Sequence, residues 1–159
     1  MKLKILNAGN LSFILLCSFL ISCGINEDSG NIKISPIQIG KGYLSGAGAE
    51  GIPKQNVVIS DSMSWNVLIN QMDSVNNVSG SFTETEIDFS EYIILASFSE
   101  IRNSGGYEIE IKNIEENPET IKADVINTIP NQIVTGNITQ PYHIVKIPNS
   151  GKQVIFYTY

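Results

Sequence analysis

The sequence predicts an α+β domain that is mostly antiparallel β, a small sheet or sandwich with one helix packed on it. Three observations predict it. Tyr107, Ile109 and Ile111 alternate with Glu108, Glu110 and Lys112, and a period of two puts the first set on a buried sheet face and the second in solvent. Further short runs rich in β-branched and aromatic residues, among them Thr120–Asn127 and Val154–Tyr159, are set off by clusters of Gly, Pro, Asn and Asp. One segment changes period: Trp65, Leu68, Ile69 and Met72 recur at i, i+3, i+4 and i+7, the apolar stripe of a single helix.

The first segment is read differently. Lys2 and Lys4 precede an apolar stretch, Leu11 to Ile21, that is short for a membrane span. It runs into Leu20-Ile21-Ser22-Cys23-Gly24, which resembles a bacterial lipobox. In such signals a small residue precedes the cysteine that receives the lipid. Cys17 fits poorly because bulky Leu16 stands before it. Residues 1–22 are therefore expected to be a lipoprotein signal peptide, with Cys23 acylated and 23–31 a polar tether. More than one acyl chain anchors firmly where a single chain binds marginally. The expected address is the cell envelope, at the outer membrane, with membrane lipid as one partner. Asn26-Glu27-Asp28 resembles a short acidic export signal of some surface lipoproteins, and plain tether composition explains it equally well.

Residues 32–159 are expected to form one globular domain, since the length suits one domain. Pro36 breaks Ile32, Ile34 from Ile37, Ile39 and suggests an edge strand or arm. Gly40 to Gly51 carries five glycines and suggests a loop of tight turns. It lacks the Lys-Ser/Thr of a phosphate-binding loop. Val57–Ile59 is a short strand. Ser60-Asp61-Ser62 offers caps for the helix, which the sequence predicts to run about four turns to Asn76-Asn77. Trp65, the one tryptophan, should anchor that helix on the sheet. Ser62 and Ser74 each fall in a three-residue pattern that fits O-glycosylation, and each could equally be a capping or surface serine.

The apolar run Tyr92–Phe98 and the alternating run from Tyr107 are two core strands that meet at Asn103-Ser104-Gly105-Gly106-Tyr107, where adjacent glycines supply positive φ. After Thr120–Asn127 an irregular stretch to Gln140 suggests a long connection across the sheet. Pro141–Pro148 is a strand bracketed by prolines. Asn149-Ser150-Gly151-Lys152 reads as a hairpin turn into the last strand.

Charge and chemistry narrow the function. The chain carries a formal net charge of −6, and no cluster of Lys and Arg offers phosphates a seat, which argues against nucleic acid as a partner. No cysteine cluster could hold zinc, and no cofactor is expected. His143 is the sole histidine, and no Gly-x-Ser-x-Gly elbow accompanies it. Glu84, Glu86 and Asp88 alternate along an extended stretch and read as a solvated face rather than a paired-carboxylate site. No catalytic or metal residue is assigned. The best candidate for protein binding is Asn103, Ser104, Gly105, Gly106 and Tyr107, since glycine lets a partner backbone approach and tyrosine is favoured at interfaces.

Asp88-Phe89-Ser90, Ile93–Phe98 and Ser104-Gly105-Gly106-Tyr107-Glu108-Ile109-Glu110-Ile111, followed by Thr139-Gln140-Pro141-Tyr142-His143-Ile144-Val145-Lys146-Ile147-Pro148, together resemble the PrcB family of protease complex subunits. The likeness covers residues 85–158. Ser104 stands where the family more often has threonine. The resemblance implies a non-catalytic, lipid-anchored accessory subunit of an exported protease or surface complex. A protease inhibitor acting through the Gly-Gly-Tyr loop is the alternative.

Overall fold

The computed structural model describes residues 30–131 and 136–159. The expected signal peptide, Cys23 and most of the tether lie outside the described residues. Eight strands and one helix follow in the order β1 (Ile32–Ile34), β2 (Ile37–Leu44), β3 (Gln55–Ile59), α1 (Ser62–Met72), β4 (Tyr92–Phe98), β5 (Glu108–Glu116), β6 (Thr120–Thr128), β7 (Gln140–Pro148) and β8 (Gln153–Thr158). They build two four-stranded sheets. The middle sheet has the order β2-β7-β4-β3, and the outer sheet β1-β5-β6-β8. The expected α+β class, mostly antiparallel with one packed helix, is what forms. Among the described residues the one parallel pair is β6 with β8.

Helix, middle sheet and outer sheet form three layers with two cores between them. In the first, Trp65, Leu68 and Met72 of α1 meet Ile94, Ala96 and Phe98 of β4 and Tyr142 and Ile144 of β7. In the second, Ile93, Leu95, Val145 and Ile147 of the same two strands meet Ile109, Ile111 and Ile114 of β5 and Ile121, Ala123 and Val125 of β6. β4 and β7 thus bury both faces, which is why they read as nearly continuous apolar runs. β5 and β6 bury one face and alternate.

Asp61 starts the helix by accepting from the Ser64 N–H at 2.8 Å, the usual N-cap bond. The Trp65 indole N–H donates to the Thr85 carbonyl at 2.8 Å, and its ring stacks on Phe82 with centroids 6.1 Å apart. The helix ends at Met72, short of Asn76-Asn77. Asp73 stops it: its carboxylate accepts from the Ser79 N–H at 2.8 Å and from the Ser79 hydroxyl, folding the chain back. Gly40 to Leu44 belong to β2, so the turns are confined to Ser45–Gly51.

One connection differs from expectation. Asn149–Lys152 is no hairpin, because β7 lies in the middle sheet while β8 crosses to the outer sheet and runs parallel to β6. Gly151 takes φ +71 there, and its N–H donates to the Asn149 side chain at 3.0 Å. The Asn103–Tyr107 turn likewise joins strands of different sheets, β4 and β5.

Candidate protein-binding pole

The turn Asn103–Tyr107 wraps one end of the sandwich. The lead-in to β7 holds it in place. The Ser99 N–H donates to the Pro141 carbonyl at 2.9 Å. Arg102 and Thr139 exchange backbone bonds in both directions, at 2.7 and 2.9 Å. The Thr139 hydroxyl donates to the Ser104 carbonyl at 3.2 Å. Within the turn only Gly106 of the two glycines takes positive φ, +84, a conformation a side chain opposes.

Asn103 and Gly106 are exposed, and Ser104, Gly105 and Tyr107 are half-buried. Tyr107 does not join Ile109 and Ile111 in the core. It stands one residue before β5 begins, outside the ladder that enforces alternation. Its ring lies 4.3 Å from the Arg102 guanidinium carbon, a cation–π contact. Arg102 also pairs with Glu100 at 2.7 Å.

Two neighbouring loops share this pole. In the glycine-rich loop a Cβ on Gly48 would come within 2.5 Å of Ile101, and one on Gly46 within 2.5 Å of the Glu50 carboxylate. The glycines there serve close packing. The Gly46 N–H donates to Glu50 at 2.8 Å. Ile101, Ile129 and Ile138 stand 46%, 70% and 42% exposed on the loops that leave β4 and β6 and enter β7, which gives the pole an apolar surface beside the turn.

His143 sits within the sandwich, not at the pole. It is buried on β7 and bridges the sheets: the Ile111 N–H donates to Nδ1 at 2.8 Å, and Nε2 lies 3.3 Å from the Gln38 side-chain oxygen. With Nδ1 accepting, the proton rests on Nε2, which donates to Gln38. Burial, then the Lys41 ammonium, push its pKa down to about 4, so the ring is neutral at pH 7. Beside it a groove of about 370 Å³ separates β2 from β5, where Lys41 pairs with Glu108 at 3.3 Å and with Glu110 at 3.8 Å.

Two of the three alternating acids, Glu84 and Asp88, are tied up locally. Glu84 pairs with Lys146 at 2.7 Å. The Ser90 hydroxyl and N–H bond to Asp88 and lower its pKa. Among the described residues no three His, Cys, Asp or Glu side chains converge as a metal site requires. Ser62 and Ser74 are both exposed, and the Ser74 hydroxyl donates to the Gln71 carbonyl at 2.7 Å.

Sequence reasoning missed Arg102 and Thr139, the residues that fix the turn. Their pairing spans the gap between two sheets, and no periodic pattern marks an isolated bridge.

No curated protein and no solved structure matches the chain. Residues 93–148, less than half of it, match the family model described as PrcB C-terminal. That match begins in β4, takes in the whole turn and ends with β7, so this segment of the chain is similar to the PrcB C-terminal family.

Proposed function

We propose that the protein is a non-catalytic, lipid-anchored accessory subunit that binds a protein partner, an exported protease or surface complex, through the pole carrying Asn103–Tyr107. One observation carries this reading: the polarity of the body. β1 enters with Ile32 opposite Glu116, at the far end of β5, and Asn31 is tied there to Glu115 at 3.0 Å. β5 starts at the other end, directly after Tyr107. A chain held at a bilayer through Cys23 would present the turn away from the membrane. The turn is fixed by backbone bonds on both sides, so little ordering entropy opposes docking, and Ile101, Ile129 and Ile138 supply apolar area around it. The absence of a catalytic role is supported by His143, the one histidine, whose two ring nitrogens are both engaged inside the fold.

The test is recovery of the acylated chain from detergent-solubilised envelope, with Asn103→Lys and Ile101→Glu as surface variants. A stoichiometric protease that remains active, and is lost from both variants while their melting curves hold, is the expected result. A protease that is silenced favours the inhibitor. Retention of the partner by both variants removes the pole from the proposal, and failure of Cys23 to take up palmitate removes the anchor.

A further inference from the structure

The two lateral sides of the sandwich are finished differently. On one side β1 is three residues long and carries Lys33, and Pro36 separates it from β2. β2 is bulged between Gln38 and Gly40, carries Lys41, and is covered at Ile39, whose carbonyl accepts from the Thr83 N–H at 2.9 Å. Short length, proline, lysine and bulges are the devices that keep a sheet edge from pairing with another chain. On the other side β3, Gln-Asn-Val-Val-Ile, and β8, Gln-Val-Ile-Phe-Tyr-Thr, have no charge, no proline and an unbroken register with their neighbours.

The free backbone groups of β8 can be assigned. The Tyr159 N–H donates to the Val125 carbonyl, and the Tyr159 carbonyl accepts from the Asn127 N–H. Both therefore point toward β6. Alternation along the strand turns the N–H and C=O of Val154, Phe156 and Thr158 outward, and among the described residues no strand lies on that side. Val154 and Phe156 remain half-buried although their side chains pack on the core between the sheets, so the core itself is open along this edge.

We infer that this edge pairs with β8 of a second copy, antiparallel, in the register centred on Phe156. Only residues with outward backbone groups can face one another across a hydrogen-bonded pair. Phe156 opposite Phe156, with Val154 opposite Thr158 twice, uses all six outward groups of each copy and leaves none unpaired. On the outer face Ile155 then lies across from Tyr157, a favourable aromatic to β-branched pair. No charge in Gln153–Thr158 opposes its like, which is what permits an edge to accept its own sequence. This reading stands on the edge alone and is independent of the proposed pole.

Sedimentation equilibrium of the full chain in density-matched detergent tests it. A mass of two chains is expected. Thr158→Pro removes an outward N–H without touching the β6 ladder and should weaken association on the order of tenfold. I155E/Y157E places like charges opposite each other twice and should give monomer, and I155K/Y157E should restore the dimer. Circular dichroism and melting curves check that each variant folds. A wild-type monomer overturns the inference, as does a dimer that survives Thr158→Pro and I155E/Y157E. Failure of I155K/Y157E to restore pairing overturns the register. A monomer that instead releases a different bound protein on Thr158→Pro assigns the edge to a foreign strand and also overturns it.

Discussion

The core under the helix and the core between the sheets share two strands yet are built from different materials. The first adds a cluster of aromatic side chains with polar tips to its aliphatic residues. Trp65 stacks on Phe82, Tyr142 lies between Phe82 and Phe98, and the Trp65 indole N–H reaches a backbone carbonyl. The second is aliphatic apart from the buried Ser97 and His143 and the half-buried Phe156 at its edge. The first is thus held by a few large side chains in fixed orientations, and the second by many small contacts and one buried polar bridge. The difference teaches where each core is vulnerable: one to truncation of an anchor, the other to a proton.

Truncating the anchor should have the largest effect. Trp65→Ala removes the fully buried ring and its hydrogen bond, and the expected loss is about 4 kcal/mol of unfolding free energy, as for large aromatic truncations in cores. Urea unfolding of the variant against the parent measures it. A loss below about 1 kcal/mol would mean that Phe82 and the helix close over the gap, and would remove the contrast between the two cores.

Acid should act next, and first on the inter-sheet core. The folded pKa of His143 is about 4, below its ordinary 6.5. As pH falls through 6.5 the unfolded chain takes up a proton that the folded chain refuses, so stability falls with pH between 6.5 and about 4 and levels off below. The full span corresponds to roughly 3 kcal/mol. The carboxylates of Asp61, Asp88 and Glu116, whose pKa values are lowered from 3.8, 3.8 and 4.5, contribute only near and below those values. Melting temperature against pH should therefore decline first in the histidine window. In His143→Phe that decline should vanish, at the expense of leaving the Ile111 N–H unpaired.

The smallest effect sharpens the comparison from the helix side. Asp61→Ala removes the N-cap acceptor at the exposed start of α1 and should lower the melting temperature slightly, read by thermal unfolding against the parent. Because Trp65 and Leu68 still pack, the native fold should persist. A much larger loss would show that the helix depends on its cap more than on its anchor.

The sequence by itself determined the local grammar. Alternation marked β5 and β6, the i, i+3, i+4, i+7 stripe marked α1, and Ser60-Asp61-Ser62 marked its start. The glycine turn was placed at the right residues as the link between two core strands. These are short-range properties: a pleat, a helical turn and a cap are decided by neighbours in the chain. Which sheet a strand joins is decided by what covers its two faces and by who completes its hydrogen bonds, and both come from distant residues. Hence β7 and β8 look like a hairpin in the sequence but part into different sheets, as β4 and β5 also do. Hence also Tyr107, in step with Ile109 and Ile111, leaves the core to lie under Arg102, and the turn it belongs to is fixed by Thr139. Only the tertiary structure could choose these partners, because the free energy that selects them comes from burying both faces of β4 and β7 at once.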